Sequence, residues 1–230
     1  MNLLELVTHL RKNILDDTGG QGVDWASYSE EDPGSMQLRW ENEELVANVN
    51  EAIRQVYRRI NPVQDVYLLS VQTGIKDYTL PSYVRKVLSA RRADGKLLKE
   101  KSILDYPFDE FDSDTGELYS FIPDQETNKL RIYPEPIANE VVSLHIYRFP
   151  KVKLSWDNYD SSPELREEYQ IPMLNYAAFL CYMKDEANTY DPSRASLFNS
   201  LFDREFPFTS AYSNVRKART VNRPVRYGGL

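Results

Sequence analysis

Acid–base and nucleophilic chemistry needs a base within hydrogen-bond reach of a nucleophile, and histidine is the side chain best suited to that role near neutral pH. The chain holds two, His9 and His145. His9 falls beside the hydrophobic positions of an amphipathic stretch. His145 shares strand parity with Ser143 and Tyr147, opposite Leu144 and Ile146, so it is expected to face away from a core. Both read as structural or surface residues. The single Cys181 has no thiol partner for a disulfide or a shared metal. Within the run Ala177-Ala178-Phe179-Leu180-Cys181 it reads as a small buried hydrophobe, with a reactive thiol as the alternative.

The richest acidic run is Asp105, Asp109, Glu110, Asp112, Asp114 and Glu117. A calcium-binding EF-hand loop places Gly at its sixth position; setting Gly116 there puts Phe111 first, where an acid is required. The run therefore reads as a solvated loop. Gly19-Gly20-Gln21-Gly22 lacks both the G-x-G-x-x-G spacing and the Gly-Lys-Ser/Thr end of a phosphate loop. No catalytic, cofactor-binding or metal-ligating set is expected, and the chain is not expected to be an enzyme.

Charge distribution is more informative. The chain carries 28 Lys+Arg against 35 Asp+Glu, a net of −7. No acid follows Glu205, and the end carries Arg216, Lys217, Arg219, Arg223 and Arg226. Seven negative overall with five positive in that tail leave residues 1–215 with twelve net negative charges. An acidic body with a basic tail points to two different neighbours rather than one basic nucleic-acid footprint. Val221, Val225, Tyr227 and Leu230 are spaced so that an extended strand presents them to a partner's groove. A nucleic-acid-binding or regulatory binding module using the same tail is the alternative reading. Sixteen Tyr, among them Tyr57, Tyr119 and Tyr212 in polar surroundings, fit protein interfaces. No apolar run approaches the ~20 residues of a membrane span, and the polar, acid-containing N-terminus predicts no secretory leader, so a cytosolic product is expected.

The elements that must position these residues follow from periodicity. Leu3, Leu6, Val7, Leu10 and Ile14 predict a helix over 3–15, with Glu5, Arg11 and Lys12 on its outer side. A loop follows over 17–37, containing Trp25 and Tyr28. A second helix over 42–60 buries Leu45, Val49, Ala52, Ile53, Val56 and Ile60 and leaves Glu43, Glu44, Glu51, Arg54, Arg58 and Arg59 solvated. About five short antiparallel strands come next, near 66–71, 77–80, 84–90, 130–133 and 141–147, with Asp94-Gly95 as a tight turn. Pro172 suits the first turn of a helix to about 188, and Asp191-Pro192 opens a last one that Pro207 ends. The expectation is an α+β chain: an antiparallel helical bundle with a small antiparallel β domain inserted between the second and third main helices. Its parts are the N-terminal helices (1–62), the β domain (63–155), the C-terminal helices (156–215) and an extended basic tail (216–230).

Several stretches together resemble the head-to-tail connectors, or portal–tail adaptors, of tailed bacteriophages. The most telling is Leu38-Arg39-Trp40-Glu41-Asn42-Glu43-Glu44-Leu45 followed by Val49-Asn50-Glu51-Ala52. Leu10-Arg11-Lys12-Asn13-Ile14-Leu15-Asp16-Asp17, Tyr78-Thr79-Leu80-Pro81, Leu130-Arg131-Ile132-Tyr133-Pro134-Glu135-Pro136, Leu144-His145-Ile146-Tyr147-Arg148-Phe149-Pro150 and Leu174-Asn175-Tyr176-Ala177 keep the order over about 2–206. The 17–37 loop looks like an insertion relative to that pattern. The resemblance implies a structural virion protein of the neck, made in the host cytoplasm. It implies a dodecameric ring of identical copies below the phage portal protein, with a tail or nozzle protein further down. Genomic DNA would pass through the duct without specific binding; no cofactor, reaction or membrane is implied. The C-terminal residues Arg216, Lys217, Arg219, Val221, Arg223, Val225, Arg226 and Tyr227 are then the expected portal-binding set.

Overall fold

The computed structural model describes residues 1–17, 38–60, 63–102, 114–123, 128–186 and 189–207. They divide into two compact units: residues 61–166 form one, and the segments 3–60 and 167 onward, from either side of it, form the other.

The helical unit begins with α1 (Leu3–His9), whose Leu3, Leu6 and Val7 are buried. The helix then widens into a π turn over Leu10–Leu15. Arg11, four residues after Val7, is buried on the same stripe; the extra residue per turn rotates the faces that follow, so Leu15 is buried while Ile14 lies at the half-buried edge. Asp16 closes the turn at φ 51°, a left-handed conformation that a short polar side chain tolerates. Helix α2 (Asn42–Ile60) has acids in its first turn and Arg58 and Arg59 in its last, matching its dipole. Helix α3 (Glu167–Tyr182) starts before Pro172 and carries that proline inside it, and α4 (Pro192–Glu205) is capped by the Asp191 carboxylate, which accepts from the Ser193 and Arg194 amides at 3.0 Å. Helix α3 packs against both α2 and α4.

The other unit holds β1 (Gln64–Val71), β2 (Asp77–Thr79), β3 (Val84–Arg92), β4 (Leu97–Glu100), β5 (Thr115–Gly116), β6 (Ser120–Pro123), β7 (Lys129–Tyr133), β8 (Glu135–Pro136) and β9 (Glu140–Arg148). Seven of them form one sheet in the order β1-β9-β3-β4-β6-β7-β2, and β5 and β8 pair separately. All neighbours in the large sheet are antiparallel except β4 and β6, where Lys99 pairs with Ser120 and Glu100 with Phe121 in parallel. One core gathers Leu69 and Val71 of β1, Val142, Leu144 and Ile146 of β9, Val87 and Ala90 of β3, Leu98 of β4, Phe121 of β6 and Leu130 and Ile132 of β7. Residues from opposite ends of the strand order share that core, so the sheet curls over its own inner face.

The expected helical bundle with a small antiparallel insert is therefore corrected. The fold is sheet-dominated α+β, with four α-helices among the described residues and a large mixed sheet. Neither β4 nor β6 is among the five strands expected from periodicity; β6 follows an acidic run and ends on Pro123, and the two together make the parallel step that enlarges the sheet. At Asp94-Gly95 the expected turn is present: Gly95 adopts φ +83° and its amide reaches the Arg92 carbonyl at 2.9 Å.

Candidate interaction surfaces

The residue types that could support chemistry are dispersed. His145 is exposed on the outer face of β9, while His9 is half-buried, with its Nδ1 2.8 Å from Asn13 Nδ2. Cys181 is buried, its Sγ accepting from Asn48 Nδ2 at 3.3 Å. Burial pushes the thiol up to about 12, far from the thiolate a nucleophile needs. Of the acidic run, Asp114 accepts from the Tyr133 hydroxyl at 2.9 Å and Glu117 pairs with Arg92 at 3.2 Å; Asp105, Asp109, Glu110 and Asp112 lie outside the described residues. Among the described residues no group of three His, Cys, Asp or Glu side chains is placed to hold a metal, and no helix is long and apolar enough to cross a membrane. The portal-binding set Arg216, Lys217, Arg219, Val221, Arg223, Val225, Arg226 and Tyr227 also lies outside the described residues, as do Tyr212, Trp25 and Tyr28.

Three polar side chains hold the helical unit together, and two of them overturn an expectation. Arg11, expected outside, is fully buried: it forms an ion pair with Asp17 and donates to the Trp40 carbonyl at 2.7 Å and to Asn42 Oδ1 at 2.9 Å. Asp17 also accepts from the Arg39 amide at 2.9 Å. Its desolvation raises the carboxyl above its ordinary value, with the Arg39 amide and the Arg11 charge pulling the other way. The chain thus leaves at Asp17 and returns at Arg39 to the same point. Trp40, the aromatic of the telling sequence match, donates from Nε1 to the Cys181 carbonyl at 3.1 Å and packs edge-on against Tyr182 at 5.7 Å. Arg59, expected on a solvated face, is buried instead: it pairs with Asp203 at 2.5 Å, donates to the Phe206 carbonyl at 2.8 Å and stacks over Phe202 at 4.5 Å. Tyr57, read as a possible interface residue, is fully buried, whereas Tyr119 is exposed.

In the sheet unit the surface is built by charge networks at strand ends and by apolar side chains between them. Arg148 donates to Asp65 at 2.7 Å and grips Glu164 through both terminal nitrogens at 2.7 and 3.3 Å. Lys151 completes this set, its ammonium 3.0 Å from Asp65 and its amide 3.0 Å from Glu164. Arg92 joins Glu140 at 3.0 Å and Glu117. Between these clusters the outer face of β1, β9, β3 and β4 runs in cross-strand rows: Val66–His145–Ser89 and Leu68–Ser143–Arg91–Leu97, with Ser70 beside Val141. Val66, Leu68, Leu97 and Val141 are each about half exposed, Leu68 most at 62%. The sequence had offered His145 as outward-facing; the apolar neighbours it keeps were readable from the same alternation, since Val66 and Leu68 sit on the outward parity of β1.

No curated protein matches the chain. The family model of SU10 adaptor proteins does, over residues 1–227. A match over nearly the full length shows the family: the chain belongs to the SU10 adaptor proteins, a phage head-to-tail adaptor family, and its role is that of a structural adaptor of the virion.

Proposed function

We propose that the protein assembles as a ring of twelve copies beneath the phage portal, continues the DNA channel toward the tail and offers the attachment site for the next tail or nozzle component. Family membership supports the adaptor role. The observation that carries the finer reading is the charge division: residues 1–215 are strongly acidic, and the acid-free end bears Arg216, Lys217, Arg219, Arg223 and Arg226. An acidic duct passes DNA without the counterion-release affinity of a basic lining. The basic end, with Val221 and Val225 between its charges and Tyr227 just after the last of them, is suited to an acidic groove on the portal. Assembly takes place in the host cytoplasm, with single copies closing into a ring on the portal template.

Electron microscopy of the protein mixed with its phage portal tests this. Wild type is expected to cap portals as a ring, and a chain lacking residues 216–230 to keep its melting temperature and lose attachment. Replacement of the five basic residues by Ser is expected to weaken attachment in a salt-dependent way. A truncated chain that caps portals with undiminished affinity would remove the tail from the mechanism.

A further inference from the structure

The outer face of β1, β9, β3 and β4 differs from the rest of this acidic chain. Its outward positions Val66, Leu68, Ser70, Ser89, Arg91, Leu97, Val141, Ser143 and His145 include no acid, although the chain contains 35. Around Val66 and Leu68 the side chains are apolar or hydroxyl with Arg91 among them, the composition of an interface centre, while Lys86 and Lys99 stand toward its rim. Strand β1 is also an edge of the sheet. The Val66 amide bonds to the Asp65 carboxylate at 2.8 Å, which turns it away from β9. By strand alternation the backbone groups of Leu68 and Ser70 face the same open side.

We propose that this face is where the neighbouring copy of the chain sits in the ring. The inference rests on the ring reading given above and names its lateral contact. Charge identifies the occupant. Two copies, each at −7, repel when set side by side, and the repulsion is least where the outward side chains carry no carboxylate and the one at the edge, Asp65, is paired with Arg148 and Lys151. Area agrees. Four half-exposed aliphatic side chains offer on the order of 300 Å² of apolar surface, below the ~800 Å² per partner of a standard stable interface. A contact of that size leaves single copies apart in solution and closes only when a template supplies many contacts at once.

Leu68→Glu and the Val66→Glu/Leu68→Glu double variant test this, because both positions are exposed and the melting temperature should stay within a few degrees of wild type. Mixed with the phage portal and imaged, wild type is expected to close rings. The double variant is expected to attach as isolated copies, with closed rings at least tenfold rarer. A solvent-sensitive fluorophore on Leu68→Cys should shift to the blue on ring closure, while the same dye on Leu197→Cys of α4 should not. Double-variant rings at wild-type frequency, or an unshifted dye in closed wild-type-like rings, would overturn the proposal and leave the ring reading standing. Loss of single-copy attachment by the variant would assign the face to the portal and also overturn it. Wild type that binds portals without closing rings defeats the ring reading itself, and this inference with it.

Discussion

Arg11 and Asp17, six residues apart, form an ion pair with no solvent exposure on either side chain. Arg59, also a buried arginine of the helical unit, pairs with Asp203, but there the carboxylate is 51% exposed. This difference in burial sets how much each arginine matters.

Truncation of Arg11 to Ala strands Asp17 in a water-excluded site and removes the bonds to the Trp40 carbonyl and Asn42. The expected loss is about 3–5 kcal/mol. Arg59→Ala leaves Asp203 hydrated and removes one carbonyl bond and the stack on Phe202, so about 1–3 kcal/mol is expected. Urea unfolding of the two variants, with unchanged slope, gives the comparison. Equal midpoints would contradict it.

Trp40→Phe keeps the ring against Tyr182 and removes the indole N–H that reaches the Cys181 carbonyl. Lost volume and lost hydrogen bond together are expected to cost about 1–3 kcal/mol. The same denaturation measurement reads it.

Asp65 is held down to about 2 by Lys151, the Val66 amide and Arg148. Its folded value lies below the unfolded 3.8, so its contribution is complete above the unfolded value and is lost as pH falls through about 2. Between these limits the wild-type melting temperature should drop more steeply than that of Asp65→Asn. Parallel slopes for the two proteins would place the acid sensitivity elsewhere.

Cys181 should resist maleimide at pH 8 in the folded chain and react fully in denaturant, because burial keeps the thiol protonated. Mass spectrometry after a timed pulse decides. Rapid native labelling would show that the α3 core opens readily.

Helix α2 was legible to its bounds because its apolar spacing is long and regular, and the strands with clean alternation were legible too. Arg11 and Arg59 were misplaced by residue type, although their positions fit the apolar stripe: Arg11 follows Val7 by four, and Arg59 follows Val56 by three. A charged residue at an inward position signals a buried partner, but the partner's identity is non-local: Asp203 lies 144 residues from Arg59. The parallel pairing of β4 with β6 is hidden for a similar reason, since neither short strand announces its neighbour. Without that step the sheet looks small and antiparallel, and the helices look dominant. The tail proposed to bind the portal rests on charge and composition, which report on partners and leave conformation open.

Trp40 is synthesised 141 residues before Cys181, whose carbonyl receives its N–H. At a translation speed of about 5–20 residues per second, roughly 7–30 s separate the two on the ribosome. Throughout that interval the first two helices have no α3 to pack against, while residues 61–166 emerge complete and are free to fold. The nascent chain therefore carries Trp40 and the apolar face of α2 without their α3 partner while residues 61–166 are made, and the packing of α2 on α3 waits until α3 has left the exit tunnel.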